Sequence, residues 1–325
     1  MRLTTLTRRA AIAGGFALFA TLAGCDSGDS AGGDGDQLVV GFSQVGEESS
    51  WRSAETRSIR DEAEKRGVDL KFSDGQGKQE NQIRAIRAFI AQGVDAIILA
   101  PKVTTGWEQP LREAQQAGIP VILVDRGVDA DESLYATLIA SDFVEEGRMA
   151  GRFVAEKTGG TGNIVELQGE AGSDPAIERQ RGFMEIVDQH EGLKVIRSQV
   201  ADFSRARGKE VMEAILKSES ADIDVVYAHN DDMALGAIQA IEEAGLKPGE
   251  DILIVSVDGV RGAFEAMLAG KLNASVECNP LLGPYAFDAV EKAVAGETLE
   301  KRQIVEDKIY TRDEVTEEVL AGRKY

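Results

Sequence analysis

Cysteine and histidine are scarce in this chain, at two residues each among 325. That count excludes the Cys/His clusters of zinc and iron–sulfur sites, and no metal is expected. Positive charge is also short: 36 Lys and Arg stand against 56 Asp and Glu, for a net charge of −20. Such a balance repels phosphate backbones, so nucleic acid is not an expected partner. Seven prolines against 35 glycines exclude a Pro-rich linker protein and fit many tight turns between regular elements. Catalytic signatures are thin as well. There is no P-loop, no H-E-x-x-H and no G-x-S-x-G elbow between a strand and a helix. What is present is an ordinary globular balance, 43% hydrophobic and 28% charged, over a length that suits about two domains.

The first 36 residues read as an address. Arg2, Arg8 and Arg9 precede the uncharged run 10–23, which is shorter than the about 20 residues of a spanning helix and suits a signal peptide. It ends in Leu22-Ala23-Gly24-Cys25, which resembles the lipobox of bacterial lipoproteins and implies acylation of Cys25. Thr7-Arg8-Arg9 also fits a twin-arginine signal, although adjacent arginines are common in any such n-region. A buried N-terminal helix is the alternative, and nothing amphipathic follows to support it. Residues 25–36 follow as a flexible tether, because 26–36 hold only Asp, Ser, Gly and Ala. Loss of residues 1–24 removes three positive charges and no negative one, leaving −23. With Cys25 given to lipid, Cys278 has no disulfide partner.

From Gln37 onward short apolar runs alternate with amphipathic stretches. Strands are expected at 37–42, 68–72, 96–100, 121–124 and 135–140, with helices at 51–66, 79–92 and 108–117 between them. The cadence resumes after Asp142, with strands at 163–167, 195–200, 225–228 and 252–257. Alternation of this kind means βαβ crossovers and parallel sheets covered on both faces. A faint repeat relates 81–101 to 207–229, and strands ending in Asp125 and Asp258 follow at matching places. The expected fold is therefore α/β, two doubly wound halves meeting near Ser141. A single large α/β domain is the alternative.

Ligands of open α/β sheets bind beyond the carboxyl ends of the strands. The polar residues there are Glu48, Trp51 and Arg52 after the first strand, Asp125-Arg126, Asn230-Asp231 and Asp258. Arg179 near a helix start and Phe203 after a strand join them. If the halves face each other, these converge on one cleft. Carboxylate, amide and guanidinium groups each grip two sugar hydroxyls, and aromatic faces cover C–H patches, so the set suits a neutral polyol. Opposite charges in the cleft would keep its Asp and Arg ionised. Blander roles compete: Asp231 as a helix N-cap, Asp125 and Asp258 as solvated strand ends, Arg179 as a surface residue. Trp51 is more often core than platform, although its Ser/Glu-rich loop favours exposure, and Trp107, after a strand end, is open to either role. The run 75–78 reads as a plain turn. His190 sits near a helix end, and His229 has no nucleophile paired with it by any motif.

These residues lie in blocks that carry a family resemblance. GFSQVG (41–46), KQENQI (78–83), AQGVDAI (91–97), TGWE (105–108), VELQG (165–169), GKEVME (208–213) and YAHNDDM (227–233) run in order between Gly41 and Lys308. The chain resembles the type I substrate-binding proteins of bacterial sugar ABC transporters, in the ribose/galactose group. The resemblance implies two lobes, 37–140 plus 280–308 and 141–279 plus 309–325, joined by a three-strand hinge that closes on a ligand in the interlobe cleft. It implies ligand contacts at Glu48, Trp51, Arg52, Asp125, Arg126, Arg179, Phe203, Asn230 and Asp258. Trp51 and Arg52 replace two phenylalanines of the ribose-type site, which points to a larger or more polar ligand. The last contact position falls on Cys278, and Pro175 stands where a small residue is usual.

The implied function is capture of a monosaccharide, galactofuranose or a related aldose, and delivery to an ABC permease with its ATPase. No enzyme activity and no cofactor are implied. The protein would be a monomer, extracytoplasmic and held to the outer face of the membrane by lipid on Cys25. A sensory protein that presents its closed form to a chemoreceptor or kinase is the alternative, and a sugar-processing enzyme a more distant one. LacI-type repressors share the core, but the export signal and the lack of a basic helix-turn-helix before Gln37 exclude them.

Overall fold

Buried strands whose side chains alternate between two covered faces set the architecture. A computed structural model describes residues 37–219 and 222–325. The expected signal peptide, Cys25 and tether lie outside the described residues. The first sheet draws on β1 (Val39–Gln44), α1 (Ser50–Arg66), β2 (Asp69–Asp74), α2 (Gln79–Gln92), β3 (Ala96–Leu99), α3 (Glu108–Gln116), β4 (Val121–Val124) and β5 (Thr137–Ser141). The chain continues through α4 (Phe143–Thr158), β6 (Thr161–Gln168), α5 (Asp174–Val187), β7 (Gly192–Val200), α6 (Arg205–Glu219) and β8 (Val225–Ala228). It then forms α7 (Asp231–Glu243), β9 (Leu253–Asp258), α8 (Arg261–Leu268) and β10 (Ala274–Glu277). Last come α9 (Gly283–Val294), β11 (Arg302–Val305), β12 (Ile309–Thr311) and α10 (Glu317–Gly322).

The strand orders are β11-β5-β4-β3-β1-β2 in one sheet and β12-β10-β9-β8-β6-β7 in the other. They correspond place for place, so β1 matches β6, β3 matches β8 and β4 matches β9. The faint repeat at 81–101 and 207–229 is the α2–β3 and α6–β8 pair of this duplicated topology. In β3, Ala96 and Ile98 pack with Phe42, Ile59 and Phe287 on one face, while Ile97 and Leu99 pack with Ile86 and Leu111 on the other. A period of two with both faces buried is what a parallel strand under two helical layers requires.

The chain passes between the sheets three times: after β5, after β10, and between β11 and β12. The last passage departs from the parallel pattern expected from the sequence. Val305 pairs with Ser141, so β11 ends at the carboxyl end of β5. Residues 306–308 then bring the chain to Ile309 opposite Val276, at the carboxyl end of β10. Entering from that end, β12 has to run antiparallel to β10.

One carboxyl links the three passages. Asp307 accepts the Asn279 N–H at 3.1 Å and the Ser141 hydroxyl. Burial, helped by the Glu146 and Glu277 carboxylates, pushes its pKa up to about 8. Asp307 thus keeps its proton in the folded chain after an unfolded Asp has lost it. Stability therefore falls as pH rises from about 4 to about 8. Asp307→Asn is expected to make the decline of Tm between pH 5 and pH 8 shallower than in the wild type. Parallel declines in thermal denaturation would contradict this role.

Candidate ligand-binding site

Residues at or beyond the carboxyl ends of β1, β4, β7, β8, β9 and β10, with the first turn of α1 and the first two turns of α5, line one cavity between the sheets. The nine residues singled out from the sequence all line it. Glu48, Trp51, Arg52, Asp125 and Arg126 come from the first lobe, and Arg179, Phe203, Asn230 and Asp258 from the second. Ser49, Pro175 and Cys278 complete the wall.

Arg52 organises the first side. It lies in the first turn of α1, where the helix dipole disfavours a cation, and its N–H is capped by Ser49 Oγ at 3.1 Å. Three carboxylates compensate. Its Nε donates to Glu48 at 2.9 Å, Nη1 to Glu55 at 2.5 Å and Nη2 to Asp125 at 2.6 Å. Burial works against the charge, but Asp125, Glu55 and Glu48 override it and raise the Arg52 pKa well above its ordinary value. Burial lifts the Glu55 carboxyl to about 7 against the pull of Arg52, and Asp125 adds to the rise. Asp125 turns the chain at φ 63°, a left-handed conformation that Asp tolerates better than most residues. Arg126 follows, with Nη1 donating to the Lys102 carbonyl at 3.0 Å and its guanidinium 5.4 Å from the Phe203 ring. Arg126 Nε stands 3.4 Å from the Asp125 carboxylate, and neither it nor Glu48 Oε2, both buried, has a hydrogen-bond partner among the described residues.

Two glycines place Arg179 on the other side. A Cβ on Gly182 would lie 1.9 Å from the Val144 carbonyl, and one on Gly147 2.2 Å from the Arg179 carbonyl. Helices α4 and α5 therefore pack closely enough for Arg179 Nε to reach Glu146 at 2.7 Å. Its Nη1 donates to the His229 carbonyl at 2.7 Å, and Nη2 stands 3.8 Å from Asp258. His229 is engaged structurally: Nε2 meets Glu166 at 3.1 Å, and Nδ1 accepts the Gly169 N–H at 3.3 Å. Phe203 lies so close over Gly169 that a Cβ there would come within 1.9 Å of its ring.

Polar contacts flank the cavity from lobe to lobe. Asp232 accepts both the N–H and the hydroxyl of Ser50 at 2.7 Å. Asp174 accepts the Gly127 N–H at 2.8 Å, and Lys102 pairs with Glu170.

Several details differ from the sequence reading. Asn230, not Asp231, caps α7: its Oδ1 accepts the Met233 N–H at 2.9 Å, and its Nδ2 donates to the Phe203 carbonyl at 3.1 Å. Asp231 instead turns into the core, where it accepts the Ser256 and Ser275 hydroxyls and the Val260 N–H. Burial lifts its carboxyl to about 7. Opposite charge does not keep Asp258 in the ordinary carboxylate range. Burial drives its pKa well up against the pull of Arg179, and the Asp231, Asp232 and Glu146 carboxyls add to the rise. Trp51 is buried rather than exposed, with Nε1 donating to the Cys278 carbonyl at 2.6 Å. Trp107, left open by the sequence, is core and bonded to the Val103 carbonyl. Sequence reasoning missed Glu55 and Glu146. Glu55 was within reach, three residues after Arg52 on one helix face. Nothing local marks Glu146.

Two parallel-sheet α/β lobes, three passages between them and a buried cavity at the strand ends define a two-lobed binding protein. The periplasmic binding protein domain matches residues 40–298, and the chain belongs to that family, with its type I fold. It is 52% identical over 287 residues to the galactofuranose-binding protein YtfQ of Escherichia coli strain K12, covering 87% of this chain and 90% of that one. A crystal structure of a galactofuranose binding protein aligns with a TM-score of 0.86 and 51% identity, covering 88% and 98% of the two chains. The binding component of the arabinose ABC transporter of Shewanella sp. ANA-3, bound to α- and β-L-arabinofuranose, aligns at 0.85 and 49%, covering 89% and 99%. These relatives are solute-binding proteins. Family membership implies an extracytoplasmic location. Among the described residues, no helix is long and apolar enough to cross a membrane.

Gly182→Ala is expected to force α4 and α5 apart and to cost about 1–3 kcal/mol of unfolding free energy. Urea denaturation reads this, and an unchanged midpoint would contradict the close approach.

Proposed function

We propose that this protein captures a monosaccharide, galactofuranose or a related aldose, by closing its lobes, and hands it to an ABC permease. The observation that carries this reading is the composition of the cavity. Charged and amide groups from both lobes, with Phe203 and Trp51 between them, line one buried cavity, the mix of polar and aromatic walls that a small polyol needs. Asp125, Arg126, Arg179, Asn230 and Asp258 are planar groups able to hold pairs of hydroxyls. Glu48 Oε2 and Arg126 Nε, buried with no hydrogen-bond partner among the described residues, are groups that a polyol would satisfy. The furanoses named for the relatives described above support this class.

Lobe boundaries near 140, 280 and 308 fit the three passages and serve as the hinge in this reading. Cys25 is the proposed acylation site, anchoring a monomer outside the membrane, and the mass of the mature chain would reveal the lipid directly.

The test is calorimetric titration of Gln37–Tyr325 with pentoses and hexoses, including furanose-enriched galactose. Tryptophan fluorescence is followed in parallel, with Trp51→Phe as control. One sugar is expected to bind tightly. Asp125→Ala and Asp258→Ala are each expected to weaken it about 10- to 100-fold, from the loss of their hydrogen bonds and the hydroxyls left unpaired in a closed cleft, with circular dichroism unchanged. Wild-type affinity in either variant would count against the cleft, and silence across the panel would count against a sugar.

A further inference from the structure

The last residues of the sequence are tied to the strand ends that bear two of the cavity residues. Strand β9 ends in Asp258, and Cys278 follows β10. The turn after β9 is conformationally demanding, with φ 128° at Asp258 and 72° at Gly259. Such backbone persists only where its surroundings hold it. Part of the grip is internal. The Asp258 carbonyl accepts the Cys278 N–H at 3.1 Å, Ser275 Oγ accepts the Gly259 N–H at 3.0 Å, and Asp231 accepts the Val260 N–H at 2.8 Å. The rest comes from the end of the sequence. Arg323 Nη2 donates to the Gly259 carbonyl, and the Tyr325 main-chain oxygen accepts the Arg261 N–H at 2.7 Å.

Arg323 is held in place for that contact. Its Nη1 donates to Glu277, the last residue of β10, at 2.7 Å, and the Tyr325 hydroxyl donates to the same oxygen at 2.9 Å. The guanidinium lies 4.6, 5.2 and 4.4 Å from the rings of Phe264, Tyr310 and Tyr325, and the side chain is only 9% exposed. A single planar cation thus spans the ends of β9 and β10. Lysine would not reproduce this, because its point charge lacks the fork that meets two acceptors at once. Arg323 itself does not line the cavity.

We infer that Arg323 is a positioning residue for ligand binding: by holding the Gly259 carbonyl and Glu277 together, it fixes the turn that presents Asp258 to the cavity. The inference rests on the sugar-binding reading and adds to it a determinant of affinity outside the cleft. An end segment that would pass for a solvated charged tail is then part of the site's frame.

The experiment is a double-mutant cycle between Arg323→Ala and Asp258→Ala. Each form of Gln37–Tyr325 is titrated with the best-binding sugar of the panel, up to millimolar concentration, and ligand-free Tm is measured alongside. Arg323→Ala is expected to weaken binding about tenfold, the size of one charge-assisted hydrogen bond, and Arg323→Lys to fall between it and the wild type. In the Asp258→Ala background the same Arg323→Ala change is expected to cost less than about twofold, because the group it positions is gone. A merely structural role would carry the tenfold loss into that background and would overturn the inference. Equal affinity of Arg323→Ala and wild type would overturn it too, while leaving the sugar reading intact. If Arg323→Ala does not fold, the cycle is run with Arg323→Lys, judged by the same non-additivity. Failure of the wild type to bind any sugar would remove the sugar reading and this inference with it.

Discussion

Several carboxylates cannot be buried beside one another without a cation among them, and the site of this protein is arranged around that constraint. Glu48, Glu55 and Asp125 converge on Arg52, and Glu146 and Asp258 flank Arg179. Desolvating an ion costs several kcal/mol even after relaxation, so such clusters are poor investments for stability alone. Arg52 also occupies the helix end where its charge is least welcome. The arrangement makes sense as preorganisation. The same ion pairs that keep the charges tolerable hold the planar groups in fixed orientations, so a ligand need not order them.

The duplicated topology places these clusters opposite one another. Because the two sheets share one strand order, Asp125 after β4 and Asp258 at the end of β9 occupy equivalent strand ends. Both adopt positive φ. Strain of this kind collects where a side chain must be aimed rather than merely packed. The contacts that bridge the lobes, Ser50 to Asp232, Gly127 to Asp174 and Lys102 to Glu170, are polar and sit at element ends. An interface built from such contacts, with only three chain passages behind it, suits lobes that separate and close again.

Much of this was legible in the sequence. Val- and Ile-rich runs such as 96–99 and 121–124 announce doubly covered strands, and the rule that ligands sit beyond strand ends gathers nine of the twelve lining residues. What escaped depends on distant partners. Asn230 and Asp231 are both good caps, and the choice between them is made by Ser256 and Ser275, which draw Asp231 inward. The direction of β12 follows from where the chain enters the second sheet, which no local pattern encodes. Glu146 matters only because Gly147 and Gly182 bring Arg179 to it from 33 residues away. The burial of Trp51 likewise reflects a bond to Cys278, 227 residues on.

The claim at the centre is that Arg52 holds the first half of the site together by balancing buried carboxylates. Urea unfolding of Arg52→Gln, alone and combined with Glu55→Gln, measures this directly. The single change should cost about 3–5 kcal/mol, the penalty for leaving buried charge uncompensated, and the second should restore part of that loss. An Arg52→Gln protein as stable as the wild type, or a double variant that is less stable still, would contradict the account.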